Sequence, residues 1–267
     1  MVNLQIPLLW AMLCLYIGAF ALFVLYFLNQ NDKISKIALN VASAAVFINA
    51  CLVVLRAILI KGLPLNNGFE FGLCFSLAVG VIYLILAFKF KLPQIGAFIL
   101  PVAIGLGAWL LNVDMTINPL NPALRSYWLS FHVSAAVIAY GTFAISFGIS
   151  VAYLLRDSGK LTSLPEKKVL DEVSYKMVFV GMPFLTIMLI TGAVWAEYAW
   201  GTFWSWDPKE TFALVTWLVY ALYLHIRLMR GWRGKRTAIL SVIGFLTVIF
   251  TFFGVSYLLP GLHSYLS

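Results

Sequence analysis

Charged residues are scarce in this sequence. Asp, Glu, Lys and Arg make up 10% of its 267 residues, whereas hydrophobic residues make up 63% and the mean hydropathy is +0.96. A soluble domain carries about 25% charged residues, which keep its surface in water. The shortage excludes a soluble enzyme, a disordered tail and a secreted mini-protein, and it indicates an integral membrane protein.

Cysteine and histidine are rare as well. The three cysteines, Cys14, Cys51 and Cys74, all lie within apolar runs, and none belongs to a CxxC pair. This pattern gives no basis for a disulfide framework, a thiol redox centre or a structural zinc site. Only three histidines occur in the chain, so each is a candidate functional residue.

Long apolar runs are what the sequence has in abundance. A transmembrane helix needs about 20 mainly apolar residues. Eight segments meet that requirement: 5–28, 37–60, 70–88, 94–112, 127–155, 177–196, 211–229 and 238–259. We therefore predict an all-α, polytopic membrane protein that forms one integral membrane domain over residues 1–267. The first segment has neither a basic stretch before it nor a small-residue cleavage site, which favours a retained span over a signal peptide.

Basic residues are divided unevenly between the two sets of predicted loops. Fourteen of the 18 lie in one set (Lys33, Lys36, Lys89, Lys91, Arg156, Lys160, Lys167, Lys168, Lys176, Arg227, Arg230, Arg233, Lys235 and Arg236), and four lie in the other (Arg56, Lys61, Arg125 and Lys209). Because cytoplasmic loops carry an excess of Lys and Arg, the first set is predicted to be cytoplasmic and both termini to lie outside. The net charge of +8 then reflects topology, and no nucleic-acid partner is expected.

One cytoplasmic loop carries a further signal. In the 156–176 loop, Pro165 is followed by apolar residues at positions 169, 170 and 173. Proline favours the first turn of a helix, and apolar residues at this spacing favour contact with the membrane surface. We predict a short interfacial helix within this loop.

Tryptophans concentrate in the 195–211 segment, which the charge count places outside the membrane. Four of the nine lie between positions 195 and 206. Trp10, Trp109 and Trp128 also lie at predicted outer helix ends, whereas Trp232 lies near an inner end. An interfacial aromatic belt occurs at both membrane surfaces. The one-sided set therefore indicates a platform for a flat, apolar ligand.

The details of this segment leave two interpretations open. If the segment is helical, Trp200 and Trp204 share one face, and Gly201 beside them lets a ring approach the backbone closely. Asp207 followed by Pro208 also fits the start of the next helix. A capping role for Asp207 therefore competes with a ligand-binding role.

Two histidines are predicted to lie on the same outer side. His132 is near the outer start of the fifth span, and His263 follows the eighth. Neutral imidazole is a common ligand of haem iron, and two at one depth can hold an iron from both faces of a porphyrin. Hydrogen-bonded packing is the alternative for either residue. The outer cations could meet haem propionates, although outer cations also reach the interface by default; these are Arg56, Arg125 and Lys209.

Two other ionisable residues are predicted near membrane edges. His225 lies about 21 Å of helix beyond Thr211, at 1.5 Å per residue, which places it towards the cytoplasmic leaflet. It is either an interfacial histidine or a second iron ligand whose mate comes from another subunit. Glu70 enters the third span from outside and is interpreted as a helix-capping residue.

Residues 200–211, WGTFWSWDPKET, resemble the tryptophan-rich WWD signature of the haem-handling proteins of cytochrome c biogenesis. The DPKET ending is similar to the CcsA (ResC) branch of System II rather than to the CcmC and CcmF branches of System I. Blocks at 128–134, 223–225 and 261–265 agree with this branch, and the likeness is strongest from residue 127 onward. One departure is that Gly62-Leu63-Pro64 lacks the histidine of a Gly-His-x-Pro block.

The resemblance implies a function and partners. CcsA-type proteins act with a CcsB (ResB) membrane subunit, carry haem b across the membrane and present it for attachment to the CxxCH motif of apocytochrome c. It also implies the bacterial cytoplasmic membrane or the thylakoid, with the WWD segment on the extracytoplasmic side. The chain would then be one subunit of a composite holocytochrome c synthase, with no catalytic residue assigned to it alone.

The resemblance also implies residue roles. His132 and His263 correspond to the axial ligands of the haem iron at the outer site. His225 corresponds to an inner haem site whose mate is contributed by CcsB. The residues that correspond to the WWD platform are Trp195, Trp200, Gly201, Trp204, Trp206 and Asp207.

Three other functions are weighed against this one. A b-type cytochrome stacks histidine pairs at matched depths inside a bundle, and the predicted spans contain no such pair. A small-molecule transporter has polar residues near the midplane and broken helices, of which the sequence shows little. A scaffold without haem is the third alternative.

Overall fold

The computed structural model describes residues 2–117, 125–259 and 261, and over these residues it is helical without strands. Eight helical segments are long and apolar enough to cross a membrane, which confirms the predicted all-α, polytopic fold. The helices are α1 Gln5–Asn29, α2 Asp32–Ile60, α3 Gly68–Lys89, α4 Gly96–Leu110, α5 Tyr127–Asp157, α6 Lys167–Trp200, α7 Pro208–Met229, α8 Lys235–Ile249 and α9 Val255–Leu258. A 3₁₀ turn, Pro93–Ile95, precedes α4, and a π-helical turn, Phe250–Gly254, joins α8 to α9.

The connections gather at two ends of the bundle. The tryptophan end is defined by the connections 61–67, 111–117, 125–126 and 201–207, and the basic end by 30–31, 90–92, 158–166 and 230–234. Arg56 at the end of α2 contacts Glu70 at the start of α3 at the tryptophan end. Arg227 near the end of α7 contacts Asp171 near the start of α6 at the basic end. The side of the membrane that each end faces stays a prediction.

Helix α5 lies at the centre of the bundle and packs on α3, α4, α6 and α8. Small residues allow this close packing, as they do in membrane helices generally. A Cβ on Gly148 would lie 2.7 Å from the Phe98 carbonyl oxygen of α4. A Cβ on Gly181 of α6 would lie 2.6 Å from the Phe143 ring of α5. The position of α5 therefore depends on glycines at its crossings with α4 and α6.

Helix α6 begins ten residues earlier than the predicted span, and the 156–176 loop has no separate interfacial helix. Residues 167–176 are the first turns of α6 itself, which follow Pro165 and run on through Pro183. At about 1.5 Å per residue its 34 residues span about 51 Å, more than the roughly 30 Å hydrocarbon core. Asp171 accepts hydrogen bonds from Arg227 Nη1 at 2.7 Å and from the Gly234 amide at 2.8 Å. These bonds fix the extension to α7 and to the start of α8.

Buried hydroxyl groups connect the helices inside the bundle. Ser146 Oγ of α5 lies 2.9 Å from Ser174 Oγ of α6 and 2.8 Å from Ser241 Oγ of α8. Thr216 Oγ1 of α7 lies 3.1 Å from Thr251 Oγ1 in the π-helical turn. Such bonds between membrane helices contribute about 0.6–2 kcal/mol each. They fix α6, α7 and α8 around α5.

The glycine packing generates a stability prediction. We expect Gly148→Ala to destabilise the fold by about 1–3 kcal/mol, because its Cβ meets a backbone atom that cannot move aside. The matched control is Gly105→Ala in α4, where a Cβ meets nothing within 4 Å. Thermal unfolding of the detergent-purified variants measures both. An equal midpoint for the two variants would contradict the packing assigned to α4 and α5.

Candidate functional site

A cavity of about 170 Å³ lies at the tryptophan end, between α3, α5, α6, α7 and the π-helical turn. We call it the tryptophan-end cavity. Its walls are mainly apolar, and the side chains among them that carry an amide, a hydroxyl or an ionisable group are Asn66, Asn67, His132, Tyr140, Lys209, Glu210 and Thr251. A mainly apolar pocket with a few polar groups is the usual form of a ligand site.

His132 lies on the second turn of α5, and its ring orientation is fixed by α6. Nδ1 lies 2.8 Å from the Met188 carbonyl oxygen. A carbonyl oxygen only accepts hydrogen bonds, so Nδ1 carries the proton and donates it. In the neutral ring the lone pair is then on Nε2. A metal-ligating histidine is held in this way, with one ring nitrogen donating to a carbonyl and the other directed to the metal.

Two residues of α6, Gly192 and Trp195, pack against the His132 imidazole. A Cβ on Gly192 would lie 2.6 Å from His132 Nδ1, so only glycine leaves room for the ring. The Trp195 ring stacks on the imidazole with centroids 6.3 Å apart and an interplanar angle of 22°. Trp200 in turn packs against Trp195 at 4.8 Å in a T-shaped contact. Trp195 is 2% exposed. It lines the cavity and packs behind His132.

The connection 201–207 is irregular rather than helical. Helix α6 ends at Trp200 and is capped by Gly201, whose φ of 74° favours glycine, so Trp200 and Trp204 do not share a helix face. Trp204 lines the cavity. Trp206 is 69% exposed and meets the edge of Trp204 with centroids 5.7 Å apart. The WWD tryptophans thus divide into a support, Trp195 and Trp200, a half-buried cavity residue, Trp204, and an exposed residue, Trp206.

Asp207 caps helix α7. Its Oδ1 accepts a hydrogen bond from the Lys209 amide at 2.9 Å, and Glu210 Oε2 accepts from the Asp207 amide at 3.2 Å, which completes a capping box. Glu210 Oε2 also accepts from the Ser205 amide at 2.9 Å. The two carboxylates therefore determine the shape of the connection that carries Trp204 and Trp206.

The chain after α9 returns to this connection. A Cβ on Gly261 would meet the Asp207 carboxylate and would lie 3.2 Å from Pro208 Cδ. Gly261 is thus packed against the start of α7, two positions before His263 in the sequence. His263 itself lies outside the described residues.

A buried ion pair lies beside the rim of the cavity and contacts its residue Asn66. Arg56 Nε donates to Glu70 Oε1 at 3.0 Å, and the two side chains are 0% and 2% exposed. Arg56 Nη1 also donates to the Met115 carbonyl oxygen at 2.7 Å. Glu70 Oε2 accepts from the Asn66 amide at 2.9 Å. Arg56 is therefore held by Glu70, does not line the tryptophan-end cavity and is not placed to meet a propionate there.

The surroundings of this ion pair are also ordered by short polar side chains. The N-cap of α3 is Asn67, whose Oδ1 accepts from the Glu70 amide at 2.9 Å, so Glu70 itself is not the capping residue. The Thr116 hydroxyl and amide donate to Asp114, and these bonds hold the pKa of the Asp114 carboxyl below its usual value. The turn at 114–116 orients the Met115 carbonyl towards Arg56.

The remaining predicted site residues lie elsewhere. Arg125 lines a separate groove beside Lys61 and Tyr127. His225 lies on the exposed face of α7, near the basic end of the bundle. No cluster of three or more His, Cys, Asp or Glu side chains that could hold a bare metal ion occurs in the described part of the chain. The structure thus brings together His132, Trp195, Trp204 and Lys209, with Asp207 behind them.

Sequence reasoning missed the residues that hold His132. Met188 contributes a backbone carbonyl, which has no sequence signature. Gly192 had a weak signal, because an isolated glycine inside an apolar helix often marks a close approach of another element. Thr251 and Phe252 line the cavity from the π-helical turn, and π turns are frequent at functional sites but are not visible in hydropathy.

The chain is similar to proteins of cytochrome c maturation. The family described as Cytochrome C assembly protein matches residues 6–263. The cytochrome c biogenesis protein CcsA of Trieres chinensis is 37% identical, with 89% of this chain and 87% of the relative covered. That of Synechococcus sp. (strain CC9902) is 35% identical, with 89% and 88% covered. That of Chlamydomonas reinhardtii is 41% identical, with 76% and 60% covered, so the alignment spans less than two thirds of that relative.

One solved structure has the same fold. The structure titled Cytochrome c Heme Lyase CcmF aligns with a TM-score of 0.70 and 17% sequence identity, over 94% of this chain and 46% of the other. At this identity the likeness concerns the helical architecture alone. The chain therefore corresponds to less than half of that larger protein.

The capping box generates a prediction about Asp207. We expect Asp207→Ala to lower the free energy of unfolding by about 1 kcal/mol, because the first turn of α7 loses its side-chain acceptor. Asp207→Asn is the matched control, since asparagine caps about as well as aspartate. Thermal unfolding in detergent compares the two variants. Equal losses would show that the negative charge, rather than the cap, stabilises this turn.

Proposed function

Because the chain belongs to the cytochrome c assembly protein family and is of the CcsA type, we propose that it presents haem for covalent attachment to apocytochrome c on the outer face of the membrane. It would do so as the CcsA-type subunit of a System II cytochrome c synthase. Haem b is the cargo, and a CcsB-type membrane subunit is the partner. The WWD segment and both termini lie on the extracytoplasmic side in this proposal.

The geometry of His132 supports the proposal most directly. Its Nδ1–H donates to the Met188 carbonyl oxygen, so Nε2 is the nitrogen that can bind iron. The ring is half-buried in the wall of a mainly apolar cavity, beside Trp195 and Trp204. A flat, apolar porphyrin fits aromatic walls of this kind.

His263 is proposed as the second axial ligand. The packing of Gly261 against Asp207 supports this assignment. Gly261 lies two positions before His263 in the sequence, so the chain is already beside the connection 201–207 there. Two neutral histidines on one iron protect it from other ligands until the histidine of a CxxCH motif displaces one of them. Asp207 and Glu210 serve this site by fixing the connection that carries Trp204.

The size of the cavity supports presentation rather than enclosure. Pockets that enclose a drug-sized ligand measure about 300–1,000 Å³, whereas this cavity measures about 170 Å³. One edge of a porphyrin would enter it, and the remainder would stay outside, towards Trp206. The vinyl groups of haem are the sites to which the two thiols of a CxxCH motif add. The residues of this chain hold and orient the porphyrin while its outer edge stays accessible.

His225 is proposed to belong to a second, inner haem site. It lies on an exposed face of α7 near the basic end, far from the tryptophan-end cavity along the same helix. An ionisable residue on an exposed face of a membrane helix is a candidate functional residue. Its proposed iron-binding mate is a residue of the CcsB-type subunit.

The axial assignment predicts the effects of histidine removal. We expect His132→Ala and His263→Ala each to abolish cytochrome c maturation and to lower the outer-site haem that co-purifies with the complex. His225→Ala is the internal control, because it should lower the inner haem and leave the outer spectrum unchanged. The Soret band of the purified complex and the yield of holocytochrome c measure the two effects. Normal maturation and an unchanged Soret band in both outer variants would refute the axial assignment. Quinol-driven redox turnover without a maturation defect would instead favour a b-type cytochrome.

The packing of Gly192 against the His132 ring predicts a loss of haem affinity even when both histidines are kept. We expect Gly192→Ala to lower haem affinity about 10- to 100-fold, because its Cβ displaces Nδ1 from the Met188 carbonyl. Gly105→Ala is the matched control, since its Cβ meets no neighbour within 4 Å. Haem titration followed at the Soret band measures the affinity. Equal affinities in the two variants would show that the packing of Gly192 against His132 does not determine haem binding.

A further inference from the structure

Three cations near the tryptophan end are candidates to meet a ligand, and the structure gives them different environments. Arg56 is paired with Glu70. Arg125 is exposed in a separate groove. Lys209 alone among the basic residues that the structure describes lines the tryptophan-end cavity.

Lys209 is half-buried, and among the described residues few groups contact its ammonium nitrogen. Nζ donates to Ser256 Oγ at 3.0 Å and lies 6.0 Å from the centroid of the Phe252 ring. Over residues 2–117, 125–259 and 261, no carboxylate oxygen lies within 4.0 Å of it. Glu210, the next residue, directs its Oε2 to Ser205 and Asp207 instead.

A cation in this position favours an anionic ligand. Burying a charge is costly unless an opposite charge or several hydrogen bonds compensate for it. One hydroxyl, one aromatic face and the charge of Asp207, which lies more than 4.0 Å away, supply only part of that compensation. Lys209 is also the second residue of α7, and the positive end of the helix dipole adds to the preference for negative charge there.

We propose that Lys209 binds a propionate carboxylate of haem and so selects the edge of the porphyrin that enters the cavity. This inference rests on the proposed function of the site. The propionates and the vinyl groups lie on opposite edges of haem b. If the propionate edge is held by Lys209, the vinyl edge points out of the cavity, where thiols of a CxxCH motif can reach it.

The test compares haem b with its dimethyl ester, which has the same porphyrin and iron but no carboxylates. Both are titrated into the detergent-purified full chain and followed at the Soret band. We expect the wild-type chain to bind haem b about 10-fold more tightly than the ester, which is the contribution of one charge-assisted hydrogen bond. We expect Lys209→Gln to reduce this preference to less than about threefold.

Two controls keep the result specific. Arg125→Gln removes a cation of the same end that does not line the cavity, and it should retain the 10-fold preference. Apo Lys209→Gln should unfold at the same temperature as the wild-type chain or higher, because it removes a buried charge and keeps a donor for Ser256. A lower unfolding temperature would make Lys209 a structural residue and overturn the inference.

Failure of this inference is distinguishable from failure of the proposed function. A Lys209→Gln variant that keeps the full preference for haem b overturns the role of Lys209, and the proposed function still stands if His132→Ala loses affinity for both porphyrins. If His132→Ala binds both with unchanged spectra and affinities, the proposed function fails, and the inference that rests on it fails as well.

Discussion

The hydrogen bond from His132 Nδ1 to the Met188 carbonyl oxygen is the constraint on which the candidate site depends. It exists only where α5 and α6 cross closely enough for an imidazole to reach the backbone of the neighbouring helix, and Gly192 provides that space. The packing of two membrane helices thereby determines which nitrogen of a histidine is available for iron.

The sequence predicted the features that one helix or one motif carries by itself. Eight apolar runs predicted the eight segments of the described chain that are long enough to cross a membrane, and the WWD signature predicted the CcsA family. What it could not predict depends on contacts between separate segments. The ion pair of Arg56 and Glu70 brings α2 and α3 together, and Gly192 has its meaning only beside His132. The start of α6 was missed because the extension at 167–176 is too polar for a hydropathy window, although it is helical.

Buried charge is used in two ways at the tryptophan end. Arg56 is neutralised within the protein by Glu70 and by backbone carbonyls, and the pair fixes the rim at Asn66 and Asn67. Among the described residues, Lys209 donates to one hydroxyl, lies over one aromatic ring and is influenced by the negative charge of Asp207. The first arrangement favours a rigid framework, because removing either partner leaves a buried charge uncompensated. The second leaves electrostatic free energy to be gained when a carboxylate arrives.

The π-helical turn at Phe250–Gly254 has a geometric consequence for Lys209. A π turn accommodates about one more residue than an α-helical turn, and one residue corresponds to a rotation of about 100° around the helix axis. The angular register of α9 is therefore offset from that of α8. Ser256, the hydroxyl that accepts from Lys209, faces α7 because of this offset. Deleting one residue from the turn would restore a continuous α-helix and rotate that hydroxyl away from the ammonium group.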